Sequence, residues 1–197
     1  NNSLRTRLST QKAAMNLGMN VIVLDINQGA WKLETERGVI MDGDKSEHLL
    51  EAIPVMAQYC DLIGVRTFAR FESRKADYTE EILSQFIKHS GRPVFSMESA
   101  TVHPLQAFAD LITIEEYRKI KRPKVVMTWA PHPKALPQAV PNSFADFMNE
   151  ADVEFVITHP EGYELDEKFV RGVRVEYDQM KAFEGADFIY AKNWAAY

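Results

Sequence analysis

The chain has 197 residues, a net charge of -5, 46% hydrophobic and 11% aromatic residues, and one cysteine. That length suits one large or two small domains with real cores, and the composition is neither disordered nor membrane-like: no apolar run approaches the roughly 20 residues that span a bilayer. The acidic balance argues against nucleic acid as a general partner, and the lone Cys60 excludes an internal disulfide or a cysteine-based metal site and fits a reducing cytoplasm.

Asn2-Ser3-Leu4-Arg5-Thr6-Arg7 opens an apolar-periodic stretch in which Leu4, Leu8, Ala14 and Leu17 can lie inward, and Gly18 sits where a left-handed cap is expected. Two hydroxyls and two guanidinium forks at a helix start, where unpaired N–H groups point outward, describe an anion site. A capped helix with two surface arginines is the alternative reading.

Asn20–Asp25 is an apolar run suited to a buried strand, and residues 28–37 form a polar loop carrying Trp31. Ser46 is a candidate cap for a helix with Leu49, Leu50, Ile53 and Met56 on one stripe. Asp61–Arg66 reads as a strand. A helix opens at Asp77 or Thr79, with Ile82, Leu83, Phe86 and Ile87 inward and Gly91 at its close. Pro93–Ser96 is a strand leading to Met97-Glu98, and Pro104 starts a long helix to Tyr117.

The basic run 118–122 ends in Pro123 and marks a boundary. Lys124–Trp129 is the next strand, followed by four prolines between 131 and 141, which suit an ordered loop. Asn142 or Ser143 caps a helix through Phe144, Phe147 and Met148. Glu154–Thr158 and Asp187–Lys192 are strands with a helix near Gln179–Phe183 between them. The alternation predicts an α/β fold of two domains, each a parallel sheet flanked by helices and joined by the long helix at 104–117. The ends look cut, so a fragment is expected, with the N-terminal part of residues 1–117 and the C-terminal part of 123–197 missing.

Ligands of open α/β sheets sit at the carboxyl ends of strands. Those ends carry Arg66, Glu98, His103, His132, His159 and Lys192. His103 and Gln106, either side of Pro104-Leu105, can converge on one small polar group; His103 as a plain helix cap is the alternative. Singly, Glu98, His132, Lys192 and Trp31 also read as a loop carboxylate, a solvated histidine, a solvated strand end and a loop aromatic.

Together, Ser3-Leu4-Arg5-Thr6-Arg7, Arg66 and His103-Pro104-Leu105-Gln106 resemble the transcarbamylases, whose motifs are Ser-x-Arg-Thr-Arg and His-Pro-x-Gln. Leu4 inside the first motif, the Asn27–Glu34 loop and Trp129-Ala130-Pro131-His132-Pro133 are similar to the N-acylornithine branch. The resemblance implies a cytoplasmic carbamoyltransferase of arginine biosynthesis that uses no cofactor or metal. It implies that Ser3, Leu4, Arg5 and Thr6 hold the phosphate of carbamoyl phosphate, that Arg66 and His103 polarise the carbonyl with help from Arg5 and Thr6, and that Gln106 accepts from the carbamoyl amide. Trp31 would reach the neighbouring subunit's site in a homotrimer. Glu98, His132 and Lys192 would contact the acylornithine. Lys134 stands where relatives tend to have arginine, and Ser46 matches neither the glutamate of the acetyl type nor the proline of the succinyl type. The succinyl type is the preferred acceptor, with N-acetylornithine and a non-catalytic anion-binding module as alternatives. The family's His-Cys-Leu-Pro motif is not within these residues.

Overall fold

The computed structural model describes residues 3–26 and 31–196. Asn2, Asn27, Gln28, Gly29 and Ala30, named above, lie outside them. The chain forms two compact units, Asn1–Arg66 with Ser84–Met97, and Thr67–Leu83 with Glu98–Tyr197.

In the first unit, α1 runs Leu4–Asn16 behind the Ser3 cap. It closes as expected on Gly18, whose φ of 78° lets the Gly18 N–H reach Met15 O and the Met19 N–H reach Ala14 O. The expected inward face is not buried: Leu4 is 71% and Leu8 56% exposed, and Leu17 is exposed too. Helical spacing defines a stripe, yet burial requires something to cover it, and among the described residues nothing does. The predicted strand over 20–25 is corrected for the same reason. Extended apolar chain becomes a strand when another strand pairs with it, and this stretch joins no sheet among the described residues.

Within the predicted polar loop, β1 (Leu33–Glu34) pairs in parallel with β2 (Glu47–His48). Glu34 anchors it. The Glu36 backbone N–H, the Lys45 ammonium and the Thr35 N–H hold its carboxyl down to about 2. Because β2 occupies 47–48, the next helix, α2 (Leu49–Gln58), is capped by the His48 side chain and not by Ser46, whose N–H goes to Lys32 O. Leu49, Ile53 and Ala57 are the buried stripe of α2. β3 (Ile63–Arg66) pairs with β4 (Val94–Glu98), longer than predicted. Gly64 has no room for a side chain there, since a Cβ would lie 2.6 Å from Phe95 Cζ. The helix expected to open at Asp77 or Thr79 is α4 (Glu81–His89), preceded by a one-turn helix, α3 (Arg74–Asp77), that was not expected; Ile87 is exposed while Leu83 and Phe86 are buried.

The second unit holds α5 (Pro104–Tyr117), which has the predicted bounds but falls in this unit and not with the first 103 residues as expected, and a parallel sheet in the order β7-β6-β5-β8: β7 (Arg174–Val175), β6 (Glu154–Thr158), β5 (Lys124–Trp129) and β8 (Phe188–Lys192). Helices α6 (Ala139–Glu150), α7 (Glu167–Val170) and α8 (Gln179–Phe183) complete it. Val125 and Met127 pack with Ile114, Phe144 and Met148 on one face, while Val126 and Val156 pack with Ala182 on the other. Burial on both faces explains why β5 reads as an unbroken apolar run. Trp194 is fully buried and donates to Tyr163 O, and Phe144 stacks on Tyr190 at 4.1 Å. The α6 helix starts at Ala139, three residues before the expected cap, because Pro141 falls in the first turn where its missing N–H costs nothing. The short α7, β7 and α3 elements lack enough residues to show a period in sequence.

Between α3 and α4, Glu80 takes a left-handed φ of 50°. Its carboxylate accepts from Ser99 Oγ (2.5 Å), the Thr101 N–H (2.7 Å) and Thr101 Oγ (2.6 Å), which ties the chain leaving β4 to this turn. Glu80→Ala removes an ionic acceptor from several donors, and urea unfolding should show a loss of about 2–3 kcal/mol. Unchanged stability would mean that these bonds do not hold the loop.

Candidate functional site

At the start of α1 the Thr6 N–H donates to Ser3 Oγ (3.4 Å), and the Ser3 hydroxyl donates to Thr6 Oγ1 (3.2 Å). Arg7 is turned away to Asp25 at 3.3 Å, leaving Arg5 exposed beside the first-turn N–H groups. The predicted anion-site residues of this stretch are therefore gathered at a helix N-terminus, where the dipole favours negative charge. Trp31 is 62% exposed, and its indole N–H donates to Glu47 Oε2 at 2.8 Å. Arg66 is the last residue of β3.

In the second unit, Glu98 ends β4 and is buried. The backbone then runs through the Glu80-held loop to His103, the cap of α5. His103 Nδ1 accepts from the Gln106 N–H at 3.4 Å, an N–H that also reaches His103 O at 3.1 Å; with Nδ1 as acceptor the ring donates from Nε2, which lies 3.6 Å from Glu98 Oε2. The His103 backbone N–H is itself buried and donates to Ser143 Oγ at 2.8 Å. Capping and a chemical role are thus compatible here: one nitrogen fixes the helix start and the other is an oriented donor.

One turn into α5 the Gln106 side-chain NH2 donates to Asp110 Oδ1 at 2.9 Å. Burial pushes the Asp110 carboxyl up, against hydrogen bonds from Gln106 and Tyr190 and the nearby charges of His103 and Lys192. Burial and the Asp110 charge likewise push the Tyr190 phenol up. Tyr190 and Lys192 are alternate residues of β8 and share its half-buried face. Parallel pairing of β5 with β6 and β8 brings Trp129, Thr158 and Lys192 to one carboxyl edge.

His132 is exposed in the loop after β5, with Nδ1 turned to the backbone of Lys134. His159 is buried, its Nδ1 bonded to Pro160 O and its ring edge-on to Tyr177 and Trp194. Cys60 is half-buried. Among the described residues no helix is long and apolar enough to cross a membrane, and no three His, Cys, Asp or Glu side chains cluster as a metal would require.

Residues 1–116 match the family model described as aspartate/ornithine carbamoyltransferase, carbamoyl-P binding domain. The chain belongs to the aspartate/ornithine carbamoyltransferase family. Among curated carbamoyltransferases it is 84% identical to the N-succinylornithine carbamoyltransferase of Bacteroides fragilis and 36% identical to the N-acetylornithine carbamoyltransferase of Xanthomonas campestris, in each case over all of this chain. It spans 62% of the length of either relative. Its fold superposes with a TM-score of 0.92, at 36% identity, on a variant of N-acetyl-L-ornithine transcarbamylase complexed with carbamyl phosphate and N-succinyl-L-norvaline, covering 100% of this chain and 63% of that one. The α/β architecture with parallel sheets flanked by helices is thus that of the carbamoyltransferases.

Sequence reasoning missed Asp110, Glu80 and the part Ser143 plays. Asp110 had a usable signal, four residues after Gln106 on one helix face. As sequence, Asn142 and Ser143 read only as caps, but they lie inside α6 and face the loop: Asn142 Nδ2 donates to Thr101 O at 3.1 Å. Ser143→Ala leaves the buried His103 N–H without its acceptor and should cost about 1–3 kcal/mol in urea unfolding, with Ser143→Thr closer to the parent. Equal stability of the alanine variant would show that this bond does not position His103.

Proposed function

We propose that this chain is the substrate-binding portion of a carbamoyltransferase that moves the carbamoyl group of carbamoyl phosphate to the δ-amine of N-succinyl-L-ornithine in arginine biosynthesis. The observation that carries this reading is the 84% identity, over all 197 residues, to an N-succinylornithine carbamoyltransferase. A second N-succinylornithine carbamoyltransferase, from Bacteroides thetaiotaomicron, is 81% identical.

In this reading residues 1–117 bind carbamoyl phosphate and 123–197 bind the acylornithine, a division by ligand and not by compactness. The match of residues 1–116 to a carbamoyl-phosphate-binding domain supports it. Ser3, Leu4 through its N–H, Arg5 and Thr6 hold the phosphate at the α1 N-terminus. Arg66 and His103 donate to the carbonyl oxygen, where negative charge develops as the amine attacks, and Arg5 and Thr6 assist. The Nε2–H tautomer of His103 suits that donor role. Gln106 accepts from the carbamoyl NH2. Glu98, His132 and Lys192 serve the acylornithine, Lys192 as a cation for one of its carboxylates.

The chemistry then balances without a side-chain base. The δ-amine nitrogen bonds to the carbonyl carbon, the bond from that carbon to the phosphate oxygen breaks, and the departing phosphate takes the amine proton. Catalysis is positioning and electrostatics. Trp31 reaching a neighbouring site, a homotrimer and a cytoplasmic location belong to the same proposal.

The test is carbamoyl transfer by the full-length gene product with succinylornithine, acetylornithine and ornithine in parallel. Succinylornithine should be the preferred acceptor. Arg5→Ala should raise the KM for carbamoyl phosphate about 10- to 100-fold, matching the ~1.5–3 kcal/mol of a hydrogen bond to a charged group. No turnover of any acceptor by a folded protein would overturn the enzyme reading, and a preference for acetylornithine would overturn the acceptor.

A further inference from the structure

We propose that Asp110 is a positioning residue whose carboxylate sets the orientation of the Gln106 amide, so that the carbonyl end of Gln106 is presented to the carbamoyl group. The inference deepens the functional reading above and rests on it, since it takes Gln106 as the group that meets the carbamoyl NH2.

A glutamine amide has a donor end and an acceptor end of nearly the same shape, and an unconstrained one samples both orientations. The carbamoyl NH2 offers only donors, so Gln106 serves it with Oε1 and opposes it with its own NH2. An ionised carboxylate accepts and does not donate. The 2.9 Å bond from Gln106 Nε2 to Asp110 Oδ1 therefore draws the donor end toward Asp110 and leaves Oε1 for a donor elsewhere. In the flipped arrangement Oε1 would face the carboxylate oxygen with no proton between them.

Gln106 and Asp110 are also an ordinary pair at four-residue spacing, of a kind found on many solvated helix surfaces. Two observations separate this pair from those. The Gln106 bond lies on an exposed side of the helix, but Asp110 Oδ2 is shielded from water beside Tyr190 and burial pushes the carboxyl up, an energetic cost that a fully solvated pair does not carry. Asp110 also lies within electrostatic reach of both His103 and Lys192, two residues assigned above to the two substrates. A carboxylate held there acts on the site through Gln106 without touching substrate.

The experiment uses the full-length gene product and compares Asp110→Ala and Asp110→Asn with the parent, in the native and in the Gln106→Ala background. Carbamoyl phosphate KM and kcat are read at saturating succinylornithine, and inorganic phosphate, which lacks the carbamoyl arm, is titrated as a competitive inhibitor. Asp110→Ala should raise the carbamoyl phosphate KM by about 10-fold, the size of one hydrogen bond to a charged group, while the phosphate inhibition constant changes less than about 2-fold. Asp110→Asn keeps an acceptor but can present its own NH2 instead, so its effect should be intermediate; it also serves if the alanine variant does not fold. In the Gln106→Ala background neither substitution should add further loss. Equal weakening of phosphate and carbamoyl phosphate, an unchanged KM, or the same penalty with and without Gln106 would each overturn the proposal. Failure of the functional reading looks different: the parent protein would turn over no acylornithine and bind carbamoyl phosphate no better than phosphate, which overturns both.

Discussion

A buried backbone N–H must have an acceptor, and the one at His103 governs much of the second unit. Ser143 supplies it from inside α6, which requires that helix to begin at Ala139 and to turn its Asn142 and Ser143 toward the loop. Asn142 reaches Thr101 O, Glu80 gathers Ser99 and Thr101, and Gln138 accepts from Tyr78. The short segment from Glu98 to His103 is thereby held by polar contacts from α6 on one side and from Glu80 on the other. A loop fixed in this way can aim an imidazole, whereas a loop held by hydrophobic contact alone tolerates sliding.

The second unit was the more legible half. Its strands β5 and β6 read as apolar runs because their central residues are covered on both faces of the parallel sheet, whereas β8, last in the strand order, alternates and exposes Ile189 and Ala191. Pro104 at the first helical position marked the start of α5 without ambiguity. The first unit was harder to read for physical reasons. Two-residue strands such as β1 and β2 have no period, and their pairing depends on residues far apart in sequence. The stripe on α1 and the run at 20–25 are apolar by composition, but composition says nothing of what lies against them.

The residue types of the candidate site were legible because their chemistry is unusual for their places: guanidinium forks at a helix start, a histidine before a helical proline. Their supports were not legible. Glu80, Ser143 and Asp110 act on residues 19 to 21, 40 and four positions away, and only Asp110 had a local spacing to betray it. His132 illustrates the opposite case, a residue prominent by motif whose side chain folds onto its own turn.

The proposed chemistry asks for a donor at the carbonyl oxygen and an acceptor at the carbamoyl NH2, and one helix turn can provide both when His103 Nδ1 is committed to the Gln106 N–H. The most direct measurement is nitrogen NMR of 15N-histidine-labelled full-length gene product, with His103 assigned by substitution, before and after carbamoyl phosphate is added. The expected result is an Nδ1 without a proton and a protonated Nε2 in both states, with a ligand-induced shift at Nε2. A proton on Nδ1, or an Nε2 resonance indifferent to carbamoyl phosphate, would contradict it.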